Sequence, residues 1–343
     1  MTLLSTTARL LKRWRARRVG DPPPAEAVPS DLPAPVTADA VPATPPGDPR
    51  ADLPLPLLPR VIHVLGQTII LKENFKPDAI VVVGNCLAET VAKGLRSLKG
   101  THHDFDVAAW RLHLQPDPSA EVLEHLNRAE HVLVQNISQH HAAKIADLLR
   151  PGCKMSLLPN VSMLALWPFD SIHYRPDPVA EKDKNGLIQH GDGLLAQLRE
   201  STPNKEERFE IYRTLRVPGL VIKRRMEIQI EQLLESDASI GCTIGKFIVD
   251  NYQNRQLFYN CTHPGAEVYQ RFCELSYELL GLPGSCPMIA GLDVWRHASV
   301  PVHPVVAKRL GVTWATRETL YDYGGLGMVT WAQFVKAYID RFG

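Results

Sequence analysis

The chain has 343 residues, of which 45% are hydrophobic, and a formal net charge of +1. This length and apolar content suffice for one large domain or two moderate ones, and the near-neutral charge predicts no nucleic-acid partner. No apolar run approaches the roughly 20 residues that a membrane-spanning helix needs. The sequence therefore predicts that the chain is not an integral membrane protein.

Six cysteines are scattered along the chain without a C-x-x-C pair. This usage predicts reduced thiols in a cytoplasmic protein, rather than a disulfide framework or a zinc site. The adjacent histidines His102-His103 and His140-His141 are expected to be solvated, because neighbours on a strand or helix point in different directions. We therefore expect no metal.

Two segments precede the part of the chain that can form a core. Residues 1–20 carry six positive charges and no acidic residue, interleaved with leucines and Trp14. Such a segment is either a solvated tail or a peripheral contact with the inner face of an anionic membrane. Residues 21–59 hold thirteen of the 28 prolines, which predicts an extended linker. The folded domain is expected to span residues 60–343.

Strand and helix patterns alternate between residues 60 and 160. Two short strand-like runs come first, at Val61–Leu65 and Thr68–Leu71. Further strands are predicted at Ala79–Gly84, Phe105–Trp110, His131–Gln135 and Lys154–Leu158, with helices after Cys86, at Ser119–Ala129 and at His140–Leu149. This order predicts an α/β fold, a three-layer, doubly wound parallel sheet with helices on both faces.

The remainder, residues 161–343, has mainly helical patterns. Helices are predicted at Gly193–Glu200, Lys205–Leu215, Arg225–Ser236, Thr243–Asn251, Gly265–Leu280 and Trp331–Phe342, the last capped by Thr330. Gln256–Tyr259 is predicted to be a short strand. The basic cluster at 223–225 is predicted to be a solvated helix start.

The candidate reaction centre is the junction Gly84-Asn85-Cys86. It joins the end of a buried strand to the start of a helix, which is where open α/β sheets bind ligands. Gly84 and Asn85 both tolerate the unusual backbone angles of a tight turn, and the helix dipole is expected to lower the pKa of the Cys86 thiol. Cys86 is therefore the candidate nucleophile. The alternative is a small turn or core residue.

Three further residues are candidates for the same site. His263, placed by Pro264 at the expected first turn of a helix, could take the thiol proton as general base, although the chain offers 13 histidines. Gln135 and Asn136 end a strand at the edge where Cys86 is expected. Their amides could hold a substrate carbonyl or an oxyanion, and turn capping is the alternative.

Several short motifs resemble the WcbI-like capsular polysaccharide biosynthesis proteins, in the same order over about residues 78–342. They are Val83-Gly84-Asn85-Cys86, Val132-Leu133-Val134-Gln135, Pro159 through Phe169 to His173-Tyr174, Leu257-Phe258 through His263-Pro264, and Val302-His303-Pro304. Two positions depart from the family pattern. Leu87 stands where the family usually has glutamine, and Asn260-Cys261-Thr262 precedes His263 where an asparagine directly before His-Pro is more usual.

The resemblance implies a coenzyme A-binding acyltransferase with an SGNH-like layout. Such an enzyme would move an acetyl group from acetyl-coenzyme A onto a sugar of a surface or capsular polysaccharide or its precursor, so its partners are a small acyl donor and a glycan acceptor. Cys86 would be the nucleophile or would position substrate, and His263 would be the base. Gly84, Asn85, Gln135 and Asn136 would contact substrate or oxyanion.

Two other functions stay open. One is an SGNH-like esterase that hydrolyses the acyl group. The other is a non-catalytic nucleotide- or glycan-binding component of a membrane-associated polysaccharide assembly.

Overall fold

The computed structural model describes residues 79–171 and 191–342. The basic tail 1–20, the linker 21–59, the strand-like runs between 61 and 71 and the His173-Tyr174 motif lie outside these ranges. The domain boundary at residue 60 therefore stays a prediction.

A four-stranded parallel sheet lies at the centre of the first described range. Its strands, in chain order, are β1 (Ala79–Gly84), β2 (Asp106–Arg111), β3 (Ala129–Gln135) and β4 (Lys154–Leu158). They are arranged in the order β2-β1-β3-β4, and every neighbouring pair is parallel. The helices that connect them are α1 (Cys86–Ser97), α2 (Ala120–Arg128) and α3 (Gln139–Ala146). The predicted mixed α/β fold with a parallel sheet is confirmed.

Strand β1 is the element on which this arrangement depends. All six of its residues are buried, since the strand has neighbours on both sides and helices on both faces. The chain leaves β1 towards β2 and later returns on the other side of β1 as β3. This change of direction opens a crevice at the carboxyl ends of β1 and β3, where doubly wound sheets bind their ligands.

The two faces of the sheet are covered by different helices. On one face, α2 and α3 contribute Val122, Leu126 and Ile145 to a core that includes Val81, Val83 and further apolar residues of β2 and β3, among them Trp110 and Val134. Helix α1 buries Leu87, Val91 and Leu95 and packs beside a later helix, α8 (Ala266–Leu279), which also contacts β4. A late helix is thus brought next to α1, with Cys273 against Gly94.

The second described range contains the other helices and one hairpin. The elements are α4 (Gly193–Ser201), α5 (Lys205–Arg213), α6 (Gly219–Ile240), α7 (Ile244–Asn251), α8, α9 (Pro304–Leu310), strands β5 (Tyr321–Tyr323) and β6 (Gly327–Val329), and α10 (Trp331–Phe342). The last helical element of the first range is a 3₁₀ turn at Leu164–Leu166. No helix within the two described ranges is long and apolar enough to cross a membrane.

Some predicted boundaries are confirmed by their caps. Ser119 accepts a hydrogen bond from the Val122 N–H at 3.3 Å and begins α2 as expected. Thr330 begins α10, and Gln333 returns the bond to the Thr330 N–H at 2.8 Å, which completes a capping box.

Other predictions for the second range are wrong. The expected strand at Gln256–Tyr259 is instead part of a turn, in which Phe258 forms a single bridge with Pro264. Pro264 lies before α8 rather than inside its first turn, because Gly265 is the N-cap. Helix α6 extends well beyond Arg225–Ser236 and ends at the left-handed Gly241, so the basic cluster 223–225 lies within the helix.

Asp237 provides a test of how α6 is joined to α7. Its carboxylate is buried and accepts the N–H groups of Gly245 and Lys246, both at 2.8 Å. Asp237→Ala removes the acceptor of these two donors, so we expect the free energy of unfolding to fall by about 1–3 kcal/mol in urea denaturation. Asp250→Ala is the control, since Asp250 is an exposed partner of Lys246 and should contribute less than about 1 kcal/mol. Equal losses in the two variants would contradict this account.

Candidate functional site

The carboxyl edge of the parallel sheet brings together the loops that follow its four strands. Gly84-Asn85-Cys86 spans the end of β1, His113 follows β2, Gln135-Asn136 ends β3, and Asn160 follows β4. Residues far apart in sequence meet at this edge because parallel strands all end on the same side. The sequence-based expectation that Cys86, Gln135 and Asn136 share one edge is met by this geometry.

Gln135 joins three of these loops through its side-chain amide. Its Oε1 accepts the Asn85 N–H at 2.9 Å, and its Nε2 donates to Asn160 Oδ1 at 2.9 Å. The side chain is only 1% exposed. The structure therefore places Gln135 as a support for the Asn85 turn, and a direct substrate contact by this residue stays a prediction.

Gly84 is required for space rather than for its backbone angles. A methyl group at this position would lie 2.5 Å from Gln135 Oε1 and 2.7 Å from Gln135 Cβ. Neither Gly84 nor Asn85 adopts a left-handed conformation, and Asn85 has a φ of −93°. The expectation that Gly84 and Asn85 adopt unusual backbone angles is therefore wrong.

Asn85 sets the start of α1, so that Cys86 is the first residue of the helix. The Asn85 Oδ1 atom accepts the Leu87 N–H at 2.8 Å, while its Nδ2 makes no hydrogen bond to any residue in the described ranges. Asn136 connects β3 to β4 through its N–H, which donates to the Leu158 carbonyl at 2.8 Å. The residue directly before Cys86 thus carries a side-chain N–H donor that no described residue accepts.

The Cys86 thiol is paired with a histidine that the sequence analysis did not select. Its Sγ lies 3.5 Å from His113 Nε2, and the contact is open to solvent. His113 comes two residues after β2, at the strand edge where Gln135 and Asn136 were found. Its place just after a predicted strand is the feature of the sequence that could have identified it.

The pKa of the Cys86 thiol differs from the lowered value expected at a helix N-terminus. Burial raises the pKa of the Cys86 thiol, and Glu89 raises it further, against a lowering by Arg111. The expected net lowering by the helix dipole is therefore wrong for this cysteine. Burial and the positive charge of Arg111 lower the pKa of His113. At neutral pH the pair is a thiol beside a neutral imidazole, which can accept the thiol proton.

An ion pair lies next to the thiol and the imidazole. Arg111, the last residue of β2, donates to Glu89 in the first turn of α1 at 3.0 Å. The pair fixes β2 to α1 close to Cys86. It also sets the local field, because its two charges act on the thiol in opposite directions.

His263 is held in the turn between α7 and α8. Its Nδ1 is 2.9 Å from Asn260 Oδ1, which also accepts the backbone N–H groups of Thr262 and His263. Because an amide oxygen can only accept, His263 Nδ1 carries a proton in this contact. The ring stacks on Trp295, with the ring centroids 4.0 Å apart. Cys86 is hydrogen-bonded to His113 and not to His263.

The asparagine that departs from the family pattern thus still orients the histidine. Asn260 stands three residues before His263 and reaches its ring because the chain turns back between them.

No group of three or more His, Cys, Asp or Glu side chains that could hold a metal lies within the described parts of the chain.

The fold and site together define a doubly wound α/β protein with a thiol–imidazole pair at the point where the strand order reverses. A family model described as polysaccharide biosynthesis enzyme WcbI matches residues 79–285. The chain belongs to this family, and the resemblance seen in the sequence is confirmed.

A comparison with solved structures agrees on the fold. The chain is similar to a structure described as WcbI, a novel polysaccharide biosynthesis enzyme, in a native form without a disulfide bond between coenzyme A and a cysteine. The TM-score is 0.55 at 15% identity, and the match covers 77% of this chain and 90% of that one. No curated protein matches the chain.

The close approach of Gly84 to Gln135 predicts the effect of adding a methyl group. Gly84→Ala forces Gln135 away from the Asn85 turn, so the free energy of unfolding should fall by about 1–3 kcal/mol. Gly324→Ala is the matched control, because a methyl group there meets no atom closer than 3.4 Å. Thermal unfolding of both variants makes the comparison, and an unchanged Gly84→Ala protein would contradict the described packing.

The negative charge of Glu89 predicts the reactivity of Cys86. Glu89→Gln removes a charge that disfavours the thiolate, so the pKa of Cys86 should fall. Alkylation of Cys86 by iodoacetamide, followed by peptide mass spectrometry, should then be faster at pH 7 and reach half its maximal rate at lower pH. Glu124→Gln, on the exposed surface of α2, should leave both quantities unchanged. A slower reaction of Glu89→Gln would refute the assigned role of this charge.

Proposed function

We propose that the chain is a coenzyme A-dependent O-acyltransferase that moves an acyl group, here taken to be acetyl, onto a sugar hydroxyl of a surface polysaccharide or its precursor. The observation that carries this proposal is the Cys86 thiol, 3.5 Å from the neutral His113 imidazole at the solvent-accessible edge of the sheet. Membership of a polysaccharide biosynthesis family supports the acceptor class. The coenzyme A named in the description of the similar structure supports the donor.

In the first step, the thioester carbonyl of the donor lies against Cys86. His113 Nε2 takes the thiol proton while the Cys86 sulfur attacks the carbonyl carbon. The carbon–sulfur bond to coenzyme A then breaks, and the proton held by His113 passes to the departing coenzyme A sulfur. The products are acyl-Cys86 and free coenzyme A, and His113 is neutral again.

In the second step, a sugar hydroxyl attacks the acyl-Cys86 thioester. His263, whose ring is oriented by Asn260, takes the hydroxyl proton at Nε2. The ester forms, the bond to the Cys86 sulfur breaks, and the thiolate regains a proton from solvent while His263 releases its own. The two histidines thereby serve the two reactants separately, in keeping with their different positions.

The oxyanion of each step needs hydrogen-bond donors next to Cys86. The Asn85 Nδ2 has no partner in the described ranges, and the Cys86 N–H opens α1 ahead of the Leu87 and Ala88 N–H groups, which are bonded to Asn85. We assign the Asn85 Nδ2 and the Cys86 N–H as the donors, since preorganised N–H groups stabilise such charges strongly. Gln135 contributes by holding the Asn85 turn.

Calorimetric titration of the full-length protein with coenzyme A and acetyl-coenzyme A tests the donor assignment. We expect saturable binding, release of about one equivalent of coenzyme A without acceptor as acyl-Cys86 forms, and continued release only when a glycan acceptor is added. Ester hydrolysis without coenzyme A binding would favour the esterase. Coenzyme A or glycan binding with no turnover would favour a non-catalytic component. Either result would overturn the proposal.

Replacement of the two reacting groups gives a quantitative prediction. Cys86→Ala should lower the transfer rate by roughly 10³-fold or more, and His113→Gln by roughly 10²–10⁴-fold. Cys153→Ala is the control, because Cys153 lies outside the site, and it should retain the full rate. Full activity of Cys86→Ala with an unchanged unfolding temperature would remove the thiol from the chemistry.

A further inference from the structure

The His263 ring lies against the face of an indole ring. The centroids of the His263 and Trp295 rings are 4.0 Å apart, and the two ring planes differ by 29°. Trp295 is half-buried, and its Nε1–H, although shielded from solvent, makes no hydrogen bond of normal geometry within the described ranges. The indole therefore acts on its surroundings through its ring face rather than through its N–H.

The segment that carries Trp295 is joined to the turn that carries His263 on both sides of this contact. Before Trp295, the Asp293 carboxylate accepts the Tyr259 hydroxyl. After Trp295, the Val300 N–H donates to the Tyr259 carbonyl at 2.7 Å. The indole is thus fixed relative to the imidazole in the substrate-free protein.

Asn260 connects the same two segments. Its Nδ2 donates to the Ala298 carbonyl at 3.3 Å, while its Oδ1 lies 2.9 Å from His263 Nδ1. The imidazole is therefore held by its edge at Asn260 and by its face at Trp295.

We infer that Trp295 is a positioning residue for His263: it fixes the plane of the imidazole and stabilises the imidazolium that forms when His263 takes the proton of the acceptor hydroxyl. The face of an aromatic ring carries negative charge, and indole attracts a cation more strongly than the other aromatic side chains do. This inference rests on the proposed acyl transfer for its effect on rate, but not for its effect on the imidazolium.

Charged side chains that flank the two segments are paired with one another. Arg296 lies 4.0 Å from Asp293 and 4.0 Å from Asp322, and Arg255 pairs at 2.7 Å with Glu267 in the first turn of α8. These pairs are left intact when the indole is replaced. A change in the titration of the stacked imidazole therefore reports the loss of the indole.

Titration of His263 by NMR, in the full-length protein labelled with ¹³C-histidine, tests the inference without any acyl transfer. The His263 signal is identified by its loss in His263→Gln. Trp295→Leu removes the aromatic face, so the midpoint of the titration should fall by at least about 0.5 pH unit. Trp295→Phe keeps a weaker aromatic face and should give a midpoint between those of Trp295→Leu and the wild type.

Trp314→Leu is the matched control. Trp314 is also half-buried, but its indole N–H donates to the Tyr252 carbonyl at 2.9 Å. This variant should leave the midpoint of His263 unchanged. His297→Gln should do the same, because His297 is exposed and its ring centroid is 6.3 Å from that of Trp295.

An indole that only shielded His263 from water would have the opposite effect, because burial disfavours the charged form of histidine. A midpoint in Trp295→Leu equal to or above that of the wild type would therefore overturn the inference. Trp295→Phe gives the same test if Trp295→Leu does not fold, since it loses no hydrogen bond of normal geometry. Its midpoint must also lie below that of the wild type.

The transfer assay separates positioning from a general loss of structure. Only the second step uses His263, so Trp295→Leu should lower kcat/KM for the glycan acceptor about tenfold and leave kcat/KM for acetyl-coenzyme A unchanged. Trp295→Phe should recover most of the loss. Equal falls in both ratios would contradict the positioning role. A wild type that fails to transfer acyl groups, with the shift in midpoint intact, would overturn the proposed function and leave Trp295 as the residue that stabilises the His263 imidazolium.

Discussion

The parallel pairing of β1 with neighbours on both sides is the constraint on which the site depends. Because β2 and β3 run in the same direction as β1, their carboxyl ends meet at one edge, and His113 and Gln135 reach the Cys86 turn from opposite sides. Gly84 makes this approach possible by leaving room for Gln135. Three strand ends thus converge on the first turn of α1, and helix α8 packs beside that helix.

Two opposing electrostatic effects act on Cys86, and the larger one decides its charge state. A helix N-terminus stabilises a thiolate by a modest amount, typically about 0.3–1 kcal/mol for a nearby negative charge. Burial and Glu89 act in the other direction, and the pKa of the thiol is raised. In the proposed reaction the protonated thiol needs a base, and the neutral His113 would supply one. The position of Cys86 at a helix start therefore does not by itself lower the pKa of the thiol.

The parts of the structure that depend on local pattern could be predicted from sequence. The continuous apolar run of β1, the Ser119 cap and the Thr330–Gln333 capping box are examples, and the observed elements agree with them. Side-chain partnerships across the fold could not be predicted in the same way. His113 differs from the other histidines only through its place after β2, and the space that makes Gly84 necessary depends on a residue 51 positions later. The short helix α9 begins after His303, whose imidazole Nδ1 accepts the Val305 N–H as an N-cap. Histidine is not among the usual capping residues, so the start of this helix could not be predicted from the sequence.

The central claim is that Cys86, with His113 as its base, accepts the acyl group. Rapid mixing of the full-length protein with acetyl-coenzyme A in the absence of acceptor, followed by acid quench and peptide mass spectrometry, tests it most directly. The account predicts one acetyl group on the peptide that contains Cys86, formed more slowly in His113→Gln and removed when a glycan acceptor is added. Steady transfer to the acceptor, with no acetyl group ever found on Cys86, would contradict it.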